Sequence, residues 1–83
     1  MTNNSPNRAT LADLRPGQRA TITSLIDRGR HISKRLEDLG FDVGEEILCT
    51  IKSMLGDPSA YLVRGSVIAL RRIDAMCVEV DIL

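Results

Sequence analysis

Few side chains in this sequence could carry chemistry, and the single histidine, His31, is the first to consider. A protein metal site draws on several histidine, cysteine or carboxylate ligands, about four of them around a structural zinc ion. The neighbours Ser33, Glu37 and Asp38 do not stand at a recognisable ligand spacing. We therefore expect a solvated histidine in the loop that enters a helix. His31 stays the first candidate for a weak contact with Fe(II) or another divalent ion.

The two cysteines, Cys49 and Cys77, lack the spacing of a redox or metal-binding pair. Cys49 shares a strand face with Ile47 and Ile51, where a buried thiol behaves as a small apolar group. Cys77 falls on the face opposite Met76, so we expect it to be partly exposed. Both are expected as reduced thiols, because no apolar export signal opens the chain.

No arrangement of residues indicates catalysis. A triad needs a histidine within reach of a nucleophile and an orienting acid, and no serine stands in a G-x-S-x-G context. The sequence also lacks G-x-x-x-x-G-K-[ST], the loop that cradles nucleotide phosphates. We therefore expect a protein that is not an enzyme and holds no cofactor.

Residues 54–58 have two interpretations, and the sequence favours neither. In the first, they form a tight turn, in which Asp57 bonds its own backbone and Pro58 fixes φ. In the second, Met54, Leu55 and Pro58 form an exposed apolar tip that contacts a partner, a use to which flexible methionine is suited.

Positive charge clusters around a predicted helix, at Arg28, Arg30, Lys34 and Arg35. Such a cluster suits an acidic partner or the inner leaflet of a membrane, whereas Arg71 and Arg72 are interpreted as part of an ordinary solvated face. The expected partner-binding surface comprises Arg28, Arg30, Lys34, Met54, Leu55 and Pro58.

Length and composition limit the class of protein. The chain has 83 residues, 43% of them hydrophobic, and 11 basic residues balance 11 acidic ones. This is the size of one small domain, and zero net charge argues against a nucleic-acid binder. We expect a cytoplasmic protein, since no apolar run approaches a membrane span. Neutral charge and exposed strand edges permit a homodimer.

The spacing of turns and the period of apolar residues predict an all-β fold of about five strands, a small β-barrel or sandwich rather than a βαβ fold. Turn residues recur every eight to twelve positions after residue 10, and most intervening segments alternate with a period of two. Arg64 and Gly65 mark a hairpin. Residues 1–9 are polar and predict a disordered tail, which leaves residues 10–83 as the domain.

One segment has helical periodicity instead. Ile32, Leu36 and Leu39 stand at i, i+4 and i+7, which predicts a short helix over residues 30–39 that caps the barrel. Gly40 and Phe41 fit a Schellman ending after it, and a further helical turn is expected at residues 72–75. The predicted core consists of Ile22, Leu36, Leu39, Phe41, Ile47, Val78 and Val80.

Four motifs in order resemble those of the FeoA family. Residues 11–17 resemble its opening L-x-x-L-x-x-G, and residues 35–44 its R-x-L-x-x-L-G-h-x-x-G helix and turn. Residues 55–61 resemble its L-G-D-P turn and the following strand, and residues 68–75 its h-A-L-R-x-x-D/E-A segment before a closing h-x-V strand. Val43 departs from the pattern, because many members carry proline there. The resemblance covers nearly all of residues 10–83.

The resemblance implies an SH3-like β-barrel and a cytosolic accessory protein of bacterial ferrous-iron uptake. Such a protein is a non-enzymatic interaction module that regulates or assembles a FeoB-type membrane transporter, at the inner face of the membrane. The alternative is a metal-binding, iron-responsive regulatory domain, because a similar module forms the C-terminal domain of iron-dependent repressors.

Overall fold

Alternating apolar residues form the strands, and short helical segments join some of them. The computed structural model describes residues 8–27, 29 and 31–83. The elements are β1 (Arg8–Thr10), a 3₁₀ turn (Leu11–Asp13), β2 (Arg19–Leu25), α1 (Ser33–Asp38), β3 (Glu46–Lys52), β4 (Ser59–Val63), β5 (Ser66–Leu70), α2 (Arg72–Ala75) and β6 (Val78–Ile82).

The described strands form one antiparallel sheet in the order β1-β6-β2-β3-β4-β5. The all-β prediction is confirmed, with one strand more than expected. That strand, β1, lies partly in the predicted tail: Arg8 pairs with Asp81, and Ala9 pairs with Val80. The ordered domain therefore starts at least two residues before residue 10, and residues 1–7 lie outside the described part of the chain.

Six of the seven predicted core residues are buried: Ile22, Leu36, Phe41, Ile47, Val78 and Val80. The prediction for Leu39 is wrong, since this side chain is 37% exposed. Leu39 follows the last residue of α1, where the chain turns away from the helix axis. Phe41 instead enters the core beside Tyr61, edge to face, with ring centroids 6.5 Å apart.

Both cysteines are buried. This confirms core packing for Cys49 and corrects the partly exposed position predicted for Cys77. The alternation seen in β6 does not extend back through Cys77, because α2 occupies residues 72–75 and β6 begins only at Val78. The turn of helix expected at residues 72–75 is confirmed.

Helix α1 is shorter at its start than predicted and ends as predicted. His31 has a φ of +54°, a left-handed conformation that interrupts a helix running through it. At the other end, the Phe41 N–H donates to the Leu36 carbonyl and the Gly40 N–H to the Glu37 carbonyl, both at 2.9 Å. With Gly40 at a φ of +107°, this is the Schellman ending.

Candidate docking surface

Residues 53–58, here called the tip loop, join β3 to β4 and are held by their own hydrogen bonds. The Ser53 N–H donates to the Pro58 carbonyl at 3.1 Å, and the Gly56 N–H donates to the Ser53 carbonyl at 2.8 Å. The Asp57 N–H donates to Ser53 Oγ, also at 2.8 Å. Although the loop projects into solvent, its backbone has a defined shape.

The tip of this loop is apolar and almost fully exposed. Met54 is 100% exposed and Leu55 is 92% exposed, and Pro58 also faces solvent. Isolated apolar residues are common on protein surfaces, but two neighbouring large side chains at a loop tip have no core to enter. The two interpretations of this segment are therefore compatible, because a tight turn carries the exposed tip.

A carboxylate joins the tip loop to α2. Asp57 Oδ1 accepts the Arg72 N–H at 2.9 Å, so it satisfies a donor at the start of that helix. Arg71 and Arg72 are both exposed there, and Arg71 Nε lies 3.6 Å from Asp74 Oδ2. This bond places the start of α2, with the exposed Arg71 and Arg72, beside the tip loop. The sequence interpretation assigns these two arginines to an ordinary surface.

The helix cations are placed differently. Lys34 lies on α1 with its Nζ 3.9 Å from Asp38 Oδ1. The chain after α1 is anchored at the hairpin between β4 and β5, where Arg64 Nη1 lies 3.5 Å from Asp42 Oδ2 and Arg64 Nε lies 3.8 Å from Glu45 Oε2. This hairpin is at the opposite end of β4 from the tip loop.

Of the predicted surface, the structure brings together Met54, Leu55 and Pro58. No described contact joins Lys34 to this group, and Arg28 and Arg30 lie outside the described residues. The role of Arg72 could not be found from sequence spacing, because its bond to Asp57 spans fifteen positions.

The candidate metal ligand His31 has one carboxylate nearby. His31 Nδ1 lies 3.6 Å from Asp27 Oδ2, and Asp27 Oδ1 accepts the Ile32 N–H at 2.7 Å. That backbone hydrogen bond is the main cause that lowers the pKa of Asp27, with smaller contributions from Ser33 and His31. Within the described residues, no group of three or more histidine, cysteine or acidic side chains could hold a metal ion.

The thiols offer little chemistry. Burial raises the pKa of Cys49, which disfavours the thiolate needed for nucleophilic attack or metal binding. Cys77 Sγ lies 3.7 Å from the Ile73 carbonyl oxygen in the interior. In the described part of the chain, no helix is both long enough and apolar enough to span a bilayer.

Comparison with known proteins identifies the family. The FeoA domain model matches residues 9–82, although no curated protein matches significantly. The chain is 34% identical to Stenotrophomonas maltophilia FeoA, a prokaryotic SH3 domain protein solved with zinc, over 88% of this chain and 89% of that one, with a TM-score of 0.78.

Two further structures show the same fold at lower identity. A FeoA-like protein of Clostridium acetobutylicum is 23% identical over 95% of this chain and 91% of its own, with a TM-score of 0.84. The T. acidophilum protein IdeR is 21% identical over 99% of this chain and 37% of its own, with a TM-score of 0.77. The match over residues 9–82 and the shared fold establish that this chain belongs to the FeoA family and has an SH3-like fold.

Proposed function

We propose that this chain is a non-enzymatic accessory protein of bacterial ferrous-iron uptake that docks on the cytoplasmic part of a FeoB-type membrane iron transporter. Family membership supports the iron-transport context. The observation that carries the docking proposal is the apolar tip of Met54 and Leu55, presented on a loop with a defined backbone. In this proposal, docking regulates or assembles the transporter.

The tip has the properties of an interface anchor. Binding energy in protein complexes concentrates in a few well-packed side chains that enter pockets of the partner. The hydrogen bonds of Ser53 and Asp57 shape the loop before it binds, which reduces the conformational entropy lost on association. Met54 and Leu55 therefore need only a shallow apolar groove on the transporter domain.

The arginines beside the tip, Arg71 and Arg72, would steer association with an acidic surface. Charges at an interface rim mainly raise the association rate, and ionic strength screens them. Lys34 remains in the proposed surface as a second source of positive charge on α1. Because Lys34 lies on α1 and Arg72 on α2, separate substitutions at these residues measure how much each helix contributes to the association rate.

The proposal of a non-enzymatic role rests on the side chains available. Both thiols are buried, the pKa of Cys49 is raised, and the one histidine has a single carboxylate within 4.0 Å among the described residues. Nucleophilic catalysis needs an activated group held next to its base. We expect no intrinsic hydrolysis of GTP or esters. Turnover by the purified protein that a single point mutation in this chain abolishes would contradict this expectation.

The decisive experiment is a binding titration against the cytoplasmic domain of the transporter. Leu55→Asp should weaken binding by about thirtyfold, the loss of one anchor of about 2 kcal/mol. Val43→Asp is the matched control, because Val43 is also exposed but adjoins Asp42, which contacts Arg64 in the hairpin between β4 and β5. Equal affinity of the parent and Leu55→Asp, with both folded, would exclude the tip.

Charge reversal tests the steering. We expect Arg72→Glu and Lys34→Glu each to slow association with the acidic surface, and to slow it more at low salt than at high salt. An effect of Arg72→Glu alone would confine the surface to the α2 end. An effect of neither variant would remove electrostatic steering from the proposal.

A second candidate function is that of a metal-responsive regulatory domain. It is favoured by the 3.6 Å approach of His31 to Asp27 and by the zinc present in the S. maltophilia FeoA structure. Titration with Fe(II) or zinc distinguishes the two functions. Affinity that His31→Ala abolishes would favour metal response, whereas unchanged weak binding would leave docking as the function.

A further inference from the structure

The sulfur atoms of the described chain differ in how easily a dissolved oxidant can reach them. The thiols of Cys49 and Cys77 are both buried. Met76 is partly buried and packs against the apolar core. Met54, by contrast, is 100% exposed in the tip loop. Solvent therefore reaches one thioether of the described residues freely, and it reaches neither of their thiols.

The thiols, which usually react with peroxides before methionine does, are poorly placed to compete here. A thiol attacks a peroxide as the thiolate, and burial raises the pKa of Cys49, which disfavours that form. The sulfur of Cys77 is held inside the fold, 3.7 Å from the Ile73 carbonyl oxygen. A thioether has no proton to lose before it reacts, so exposure largely decides which methionine is oxidised first.

We propose that Met54 is an oxidation site for hydrogen peroxide, and that its conversion to the sulfoxide weakens docking of the tip loop. This inference rests on the docking function proposed above and adds a means of regulating it. The thioether sulfur donates an electron pair to one peroxide oxygen, so that an S–O bond forms and the O–O bond breaks. The proton of the transferred oxygen passes to the leaving hydroxide, which departs as water. Sulfur is oxidised by two electrons and the peroxide is reduced by two.

The sulfoxide changes the polarity of the tip. A thioether enters an apolar groove readily, whereas a sulfoxide oxygen must give up its hydrogen bonds to water when it is buried there. Oxidation therefore opposes the contact that makes Met54 an anchor. Leu55 remains as an apolar neighbour, so we expect docking to be weakened and not abolished.

The same change leaves the fold of the free protein intact. The hydrogen bonds that shape the tip loop run between Ser53 and residues 56–58, and none of them uses the Met54 side chain. Because that side chain is fully exposed, it contributes no buried surface that oxidation could disrupt. A loss of docking after oxidation would therefore report on the tip itself and not on unfolding.

Peptide mapping by mass spectrometry tests the site in the free protein. During graded exposure of the full chain to hydrogen peroxide, Met54 sulfoxide should form faster than Met76 sulfoxide, and both thiols should stay reduced. Met1 lies outside the described residues and is followed on its own peptide. Tm should be unchanged once Met54 is fully converted. Faster oxidation of Met76 or of either thiol would overturn the assignment of Met54.

A binding titration against the cytoplasmic domain of the transporter tests the consequence. Conversion of Met54 should weaken binding by about tenfold, the loss of part of one anchor. Methionine sulfoxide reductases for both epimers, supplied with dithiothreitol, should restore the affinity. Met54→Gln places a polar amide at the tip and should weaken binding without any peroxide.

Met54→Leu is the matched control, because it keeps the tip apolar and removes only the reactive sulfur. This variant should bind like the parent, and peroxide should leave its affinity unchanged. Every other sulfur of the chain is still present in it. An equal loss of affinity in the parent and in Met54→Leu after peroxide would place the effect at another residue and overturn the proposal.

The docking function and its regulation fail in different ways. A parent protein that never binds the transporter domain would overturn both. Binding that Leu55→Asp weakens, but that complete oxidation of Met54 leaves unchanged, would overturn the regulation alone and leave docking in place. Loss of affinity on oxidation, its recovery with the reductases and the resistance of Met54→Leu would together support the proposal.

Discussion

Replacing Leu36 by alanine tests whether α1 is part of the barrel core. The Leu36 side chain is fully buried in the main apolar cluster, and its carbonyl accepts the Phe41 N–H. Leucine-to-alanine changes in cores cost about 2–5 kcal/mol, more where the surroundings cannot collapse into the cavity. The Schellman ending restrains this end of α1, so we expect a cost of about 3 kcal/mol, inside that range.

This cost is a large part of the stability of so small a domain. At about 0.05–0.15 kcal/mol per residue, 83 residues give about 4–12 kcal/mol. A loss of 1 kcal/mol lowers Tm by about 4–8 °C at this size, so Leu36→Ala should lower it by about 12–24 °C. Urea unfolding followed by far-UV circular dichroism measures the free energy directly.

Leu39→Ala is the matched control on the same helix end. Because Leu39 is partly exposed, its truncation should cost less than about 1 kcal/mol. A cost for Leu36→Ala below about 1 kcal/mol, or equal to that of Leu39→Ala, would refute the capped-barrel model.

Three further predictions concern pH and backbone geometry. The hydrogen bond from the Ile32 N–H lowers the pKa of Asp27 in the folded protein below its ordinary value of 3.8. The ionised carboxylate therefore stabilises the fold above pH 3.8, and this stabilisation is lost as the pH falls through the lower folded pKa. Asp27→Asn should remove this acid dependence, as measured by the free energy of unfolding at each pH. Burial raises the pKa of Tyr61 from 10.0 to about 12, so stability should fall between these pH values as the unfolded phenol ionises. Tyr61→Phe should abolish this alkaline loss and cost about 0.5–1.5 kcal/mol near neutral pH, because the Leu11 carbonyl loses the Tyr61 hydroxyl at 3.0 Å but keeps the Leu14 N–H at 3.1 Å. Gly40→Ala should cost about 1–3 kcal/mol in urea unfolding, since alanine is strained at a φ of +107°.

Local signals in the sequence predicted the features that local geometry controls. Gly40 and Phe41 marked the end of α1, because only a residue tolerant of positive φ completes a Schellman motif. Arg64 and Gly65 marked the hairpin for a similar reason. The buried alternation of Val78 and Val80 followed from the period of a half-buried strand.

Features that depend on pairing between strands could not be found in this way. Ile51 was expected on the face of Ile47 and Cys49, yet it is exposed, because the ladder between β3 and β4 shifts register between Cys49 and Ile51. Such a bulge inserts one residue and reverses the face of those that follow. The contact between Asp57 and α2 is equally non-local, so sequence spacing alone does not place Arg72 beside the tip loop.

The pairing of Arg8 with Asp81 has a mechanical consequence. It places Arg8, the first residue of the described strands, about one strand spacing from Asp81, two residues before the end of the described chain and at the same end of the sheet. A force applied between these ends would pull β1 from β6 one bond after another, which is the weak direction of a ladder. The separation would stop at the 3₁₀ turn, where Lys52 Nζ and the Tyr61 hydroxyl hold the Ala12 and Leu11 carbonyls. We therefore expect two force steps, a low one for β1 and a higher one for the barrel.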